Sequence, residues 1–222
     1  MTSPLRMCTA IAGKSLQLEH RAGEALLVVA PFGAIALLTI PLAVGTDVPM
    51  LRQVGPGMYW IVILLFGVFV ILRQSSLETP SQGQMLVLAG VPGVVQLLGN
   101  AMATVVLVLG FGIVLAPVAV MLYNPVLAEW PLFLAVLPGV AVGLALLGVV
   151  AEALVRRLDL RSTLGPLLIV PLAVPLLLGA TQSWEAAGYG RSPLPWLLLI
   201  LTIDLILFLT VLFAGHLLEE AS

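Results

Sequence analysis

Six stretches of this chain are apolar for about as long as a membrane crossing requires, and that recurrence leaves few folds open to it. The hydrocarbon core of a bilayer is roughly 30 Å thick and takes about 20 helical residues to span. The stretches lie near 25–44, 57–72, 91–123, 130–151, 164–181 and 194–218. Only 9% of the residues are charged and 61% are hydrophobic, whereas a soluble domain is about 25% charged. The reading is an all-α polytopic membrane protein with six transmembrane helices. The polar connections are too short to fold by themselves, so 25–222 forms a single transmembrane domain preceded by 1–24. The first 24 residues lack the apolar core and small-residue cleavage site of a secretory signal.

The basic residues set the orientation. Arg6, Lys14 and Arg21 precede the first span, Arg73 opens the second connection, and Arg156, Arg157 and Arg161 occupy the fourth. The first, third and fifth connections hold only Arg52 and Arg191. Basic residues accumulate on the cytoplasmic side, so both termini are expected there. The aromatics give the same polarity: Tyr59, Trp60, Tyr123, Trp130, Trp184, Tyr189 and Trp196 all fall at the opposite ends of the spans. Amphipathic rings favour the headgroup level.

Residues 5–24 read as an amphipathic helix along the inner leaflet. At 100° per residue, Arg6, Lys14, Gln17, His20 and Arg21 share one side, and Leu5, Met7, Cys8, Ile11, Ala12, Leu16 and Leu18 share the other. Two roles are open: a membrane anchor, or an elbow that also touches a cytoplasmic partner. The longest polar interruption, 73–90, reads RQSSLETPSQGQMLVLAG. Its Thr-Pro-Ser suits a turn into a short helix that would offer Gln84, Met85 and Leu88 for contact, and a plain inner loop is the alternative. The fourth connection, beginning at Glu152, reads as a solvated inner loop in which Glu152 and Arg156 pair for a few tenths of a kcal/mol.

Chemistry inside the spans is sparse. Asp204 is the one carboxylate deep in a span, where insertion costs about 2.5–3.5 kcal/mol and a functional role is the default suspicion. Coupling or substrate contact is one reading, structural pairing the other. Gln96 and Asn100 enter the third span from the inner side and suit hydrogen bonding between helices. The single cysteine, Cys8, excludes an internal disulfide and any Cys-x-x-Cys motif. His20 and His216 both fall near the inner surface, away from any metal or haem site. No nucleophile–base pair, metal cluster or Walker A sequence is present. The chain is therefore not expected to be an enzyme, and the net charge of -2 gives no reason to expect nucleic acid. A subunit that borrows energy fits, as does a passive channel or scaffold.

The fifth stretch, LGPLLIVPLAVPLLLGAT, carries prolines at 166, 171 and 175. Proline removes a backbone donor and clashes with the preceding turn, at about 3 kcal/mol or more in an ordinary helix interior. Such backbone is tolerated at membrane depth where neighbouring protein or a cavity satisfies the freed carbonyls. A bent fifth span packed inside an assembly is the expectation.

Several stretches together resemble the CcmB-type family, the membrane subunit of the haem-exporter ABC system of cytochrome c maturation. KSLQLEHRAGEAL, from Lys14, is similar to that family's opening pattern of Lys, Leu, Glu, Arg, Glu and Leu. PGMYWIVILLFG, from Pro56, resembles its second-span entry, and the proline-rich fifth span its fifth. The resemblance implies an ABC-2-type transmembrane subunit in the bacterial inner membrane, with an elbow helix whose interface includes Lys14, Glu19, Arg21 and Glu24. It implies that 73–90 is a coupling segment, with Arg73, Glu78, Gln84, Met85 and Leu88 facing a cytoplasmic ABC ATPase in two copies. Here Glu78 matches an acidic family position, TPSQGQ replaces the rest of that pattern, and Asn100 stands where a basic residue is frequent. The further partners implied are a second membrane subunit or a second copy, a haem-handling membrane protein, a haem chaperone and the lipid bilayer. ATP and magnesium would belong to the ATPase and haem would be cargo, with no cofactor held by this chain. A permease for a lipid, peptide or drug is the alternative.

Overall fold

The structure is a computed structural model that describes residues 4–22, 24–45, 47–77, 91–124, 130–157 and 165–219. Among the described residues it contains seven helices and no strand: α1 (Pro4–Ala22), α2 (Glu24–Val44), α3 (Val48–Leu77), α4 (Gly93–Tyr123), α5 (Trp130–Arg157), α6 (Gly165–Gly188) and α7 (Leu194–Glu219). Five are long and apolar enough to cross a membrane, through Val48–Arg73, Gly93–Tyr123, Pro131–Val155, Leu167–Gly188 and Leu194–Gly215, and Val29–Val44 of α2 is a shorter apolar helix. The chain is a multi-pass, all-helical membrane protein. Helices are the natural solution because each satisfies its backbone internally, with no water available in hydrocarbon to do so.

Helices α5 and α3 form the interior of the bundle. Helix α5 packs on α4, α6 and α7, while α3 packs on α2, α4 and α6. Ile63, Val108, Phe111, Leu115, Val140, Leu144, Ala173 and Leu176 meet in the main core. The opposite faces of the outer helices remain apolar, as in Ile113 of α4, Leu172 of α6 and Leu205 of α7. In water that surface would drive aggregation. In a bilayer it faces solvent of matching polarity.

Glycines set how closely the helices approach. A Cβ added at Gly148 of α5 would stand 2.7 Å from Ile71 of α3, and one at Gly112 of α4 would stand 2.6 Å from Leu137 of α5. Small residues of this kind let helix backbones approach closely in membranes.

Helix α3 begins nine residues before the 57 expected from hydropathy. Pro56 lies inside it rather than opening it. Helix α5 likewise continues through Arg157, so the first residues of the expected fourth inner loop, Glu152 to Arg157, are helical. The proline-rich helix α6 packs within this chain by one face only. It runs unbroken through Pro171 and Pro175, and both are exposed, while Ile169, Ala173, Leu176 and Ala180 on the other face are buried. The side that packs within this chain is the one opposite the prolines.

Candidate functional site

Two ends of the bundle carry distinct chemistry. The end at which α3 finishes and α4 begins holds Arg73, together with Lys14 and Arg6 of α1. The end at which α2 and α4 finish holds most of the aromatic rings. They are called here the basic end and the aromatic end.

At the basic end, α1 lies against the start of α4. Cys8 and Ala12 are buried, Cys8 Sγ lies 3.6 Å from the Val95 carbonyl oxygen, and a Cβ at Gly99 would stand 2.8 Å from Ile11. Burial pushes the Cys8 thiol upward from its ordinary range. Arg6, Thr9, Lys14 and Gln17 remain exposed. The apolar stripe of α1 is thus committed in part to protein, and its polar stripe is free to meet another surface. Glu19 and Arg21 lie on α1 and Glu24 opens α2, with their side chains outside the described residues.

The first turn of α4 is gripped from a second side. Gly215 of α7 packs directly on Val94, with a Cβ there only 2.7 Å from the Val94 Cα. Pro92 precedes the helix with φ -57° and ψ 141°, the extended geometry of a residue just outside a helix. The amide of Gln96 donates to the Val91 carbonyl at 3.1 Å, so the bond it makes is local rather than between helices. Asn100 is half-buried one turn on, and its carbonyl accepts the Thr104 hydroxyl at 3.1 Å. The chain entering this turn comes from the polar segment that begins at Arg73, which is itself half-buried at the end of its span. Glu78, Gln84, Met85 and Leu88 lie outside the described residues.

Asp204 occupies the middle of α7. It is half-buried, and its Oδ1 is sealed from solvent with no hydrogen-bond partner among the described residues. The carboxyl sits against α5 at Gly143 and Gly139, whose added Cβ atoms would stand 2.6 Å from Oδ1 and 3.8 Å from Oδ2. One turn earlier, Ile200 fills the space between Gly139 of α5 and Gly179 of α6. Gly139 and Gly143 were visible in the sequence as small residues four apart, without any sign that α7 and its carboxyl would fill them.

The aromatic end corrects one expectation. Tyr123 is at the helix end foreseen for it, but Tyr59 and Trp60 lie about three turns inside α3, and all three rings turn inward and are buried. Tyr59 packs edge-on to Trp60, and Phe133 bridges both to Trp184. The inward turn follows from hydrogen bonding: Tyr59 donates to the Gly112 carbonyl at 2.8 Å and Tyr123 to the Leu37 carbonyl at 2.7 Å. A buried phenol needs such a partner. Arg52 extends the same cluster by donating from Nε to the Asn124 carbonyl at 2.8 Å, a cation at the C-terminal end of α4 where the helix dipole favours it. Among the described residues no group of three or more His, Cys, Asp or Glu side chains is placed to hold a metal.

The family model described as CcmB protein matches residues 6–218. The chain belongs to the CcmB family. It is similar to the protein named Heme exporter protein B of Haemophilus influenzae, at 30% identity over an alignment of 186 residues, with 80% of this chain and 81% of that one covered. It is also similar to Heme exporter protein B of Pseudomonas aeruginosa, at 34% identity over 163 residues, 72% of each chain. The match to the CcmB family takes in α1 as well as the apolar helices. The residues gathered at the basic end, from Cys8 to Gly215, are therefore within the matched region.

Proposed function

We propose that this chain is the membrane-spanning permease subunit of an ABC transporter that exports or delivers haem for cytochrome c maturation. Membership of the CcmB family across 6–218 carries the reading, and the relatives named Heme exporter protein B supply the cargo. The chain crosses the bacterial inner membrane six times, α2 included, with α1 along the inner leaflet and both termini in the cytoplasm. The excess of basic residues at one end supports that orientation.

ATP and magnesium are used by a cytoplasmic ATPase in two copies, and no cofactor resides in this subunit. The polar segment from Arg73 through Glu78, Gln84, Met85 and Leu88 receives the ATPase, flanked by the elbow positions Lys14, Glu19, Arg21 and Glu24. Force on that segment enters the first turn of α4. The grip of α1 and α7 on this turn, through Cys8 at Val95 and Gly215 at Val94, supports its role as the point of entry. A ligand shifts a two-state protein only by the difference in its affinity for the two states, so ATP must hold the ATPase pair in an arrangement that favours one packing of the spans. A second copy or a second membrane subunit completes the transporter, and a haem-handling membrane protein and a haem chaperone take up the cargo. Asp204 in α7 and the polar residues Gln96 and Asn100 in α4 act in packing rather than in haem ligation.

Purification from native membranes tests the reading. Deleting 76–88, or changing Glu78→Lys, abolishes co-purification of the ATPase while the spans stay inserted. Co-purification that survives both changes overturns it. Gene neighbourhood checks the cargo, since an adjacent ATPase beside cytochrome c assembly genes is expected and an efflux regulator would assign another one.

A further inference from the structure

Helix α2 carries a proline near its end, and the backbone bond that this proline removes is replaced from outside the helix. Pro41 has no amide hydrogen, and its absence deprives the carbonyl four residues earlier, at Leu37, of its intrahelical donor. Leu37 is fully buried, so water does not supply the missing bond. The donor comes instead from another helix: the Tyr123 hydroxyl reaches the Leu37 oxygen at 2.7 Å. Gly55 of α3 makes room for the ring, since a Cβ there would stand 2.6 Å from the ring carbon Cγ and 2.7 Å from Cβ of Tyr123. One residue beyond, Arg52 holds the Asn124 carbonyl. On the far side of Pro41 little holds α2. Leu42, Ala43 and Val44 are exposed, and the helix ends at Gly45, with φ +99° and its amide on the Pro41 carbonyl.

We propose that the Tyr123 hydroxyl is a releasable latch on the Pro41 hinge, so that the last turn of α2 swings at the aromatic end when the bond to Leu37 is broken. An ordinary helix bond is made within one rigid element and cannot be undone by moving a neighbour. This one is made between α2 and α4, so a shift of α4 along or about its axis breaks it without unwinding α4. The closed state rests on the geometry above. What opens it rests on the transport reading, because α4 is the helix whose opposite end follows the ATPase-facing segment.

Tyr123→Phe removes the hydroxyl and keeps the ring on Gly55, while Pro41→Ala restores an amide for Leu37 and makes the hydroxyl redundant. Spin labels at Leu42→Cys and Tyr189→Cys, both exposed positions, in a Cys8→Ser background report the position of the α2 tip by pulsed electron resonance in nanodiscs. The expected result is one main distance in the parent, a broadened or second distance with Tyr123→Phe, and recovery of the single distance when Pro41→Ala is added. A purely structural hydroxyl would lower stability without this recovery. An unchanged distribution in Tyr123→Phe overturns the latch, as does a broadening that Pro41→Ala leaves in place. In the assembled complex with Mg-ATP, the parent populates the second distance and the Pro41→Ala variant does not. If ATP is hydrolysed and the distance stays fixed, the latch is not part of the transport cycle although the transport reading stands. If no ATPase assembles, the transport reading fails while the comparison in the isolated chain still decides the latch.

Discussion

The carboxyl of Asp204 rests in the gap left by Gly143: a Cβ on that glycine would stand 2.6 Å from Oδ1 and 2.7 Å from Leu176. Three helices meet at this point, and the glycine is what lets α7 lie close to α5 and α6. Gly143→Ala is therefore expected to push α7 outward and to destabilise the bundle by about 1–3 kcal/mol, the usual cost of overpacking. Thermal unfolding of the purified protein in detergent checks it. Asp204→Asn preserves volume and removes only the carboxylate, so it is expected to unfold within a few degrees of the parent and to sustain cytochrome c production. A variant that folds normally yet loses that production would give Asp204 a role beyond packing.

Gly55 and Tyr123 form a second such pair, at the aromatic end. Gly55→Ala drives a methyl group into the Tyr123 ring and is expected to cost about 1–3 kcal/mol. Tyr123→Phe keeps the ring and loses one hydrogen bond, worth about 0.6 kcal/mol on average between membrane helices. The glycine variant should therefore unfold at clearly lower denaturant than the phenylalanine variant. The reverse order would mean that the hydroxyl's bond from α4 to Leu37 of α2 matters more to the bundle than the close approach of α3 and α4 at Gly55.

These pairs also show where sequence reasoning stops. Apolar runs of the right length located the helices, and the resemblance around Lys14 and Pro56 located the family, because both are local properties of the chain. Partner identity is not local. The glycines at 55, 99, 143 and 215 look alike in sequence, and only the packed bundle assigns them Tyr123, Ile11, Asp204 and Val94. The tyrosines misled for the same reason: a ring near a helix end suits the headgroups until a neighbouring carbonyl, here Gly112 or Leu37, offers a bond inside. A bent α6 packed inside an assembly was the expectation, and within this one chain Pro171 and Pro175 are exposed. The helical start of α3 was missed because Pro-Gly at 56–57 is a common opening signal, and here it lies inside a helix, with Gly57 beside Thr181.

Cys8 gives a pH-dependent readout of the joint between α1 and α4. The thiolate is the reactive form, and burial raises the thiol, so at neutral pH Cys8 carries less thiolate than an exposed cysteine. Maleimide labelling of Cys8 is expected to be slow near pH 7 and to accelerate only as the pH climbs beyond the ordinary thiol range. Thr9→Cys in a Cys8→Ser background, one residue along and exposed, should label rapidly under the same conditions. Gly99→Leu, which pushes against Ile11, should bring Cys8 toward the rapid rate. Equal rates for Cys8 and the Thr9→Cys variant would mean that α1 is not docked on α4.

The orientation of the bundle can be decided with two substitutions at exposed positions. Arg191 adjoins the aromatic end and Lys14 lies on α1 at the basic end. On the proposed orientation, which rests on the arginine excess, the basic end is the cytoplasmic one. In a Cys8→Ser background, Arg191→Cys is expected to react with a membrane-impermeant maleimide added to spheroplasts, and Lys14→Cys to react only after lysis. The two ends differ in kind as well as in charge: the basic end holds the helix start gripped by Gly99 and Gly215, and the aromatic end holds the proline hinge. The opposite labelling pattern would put the gripped turn of α4 outside, where no ATP is available, and force could not then enter the bundle by that route.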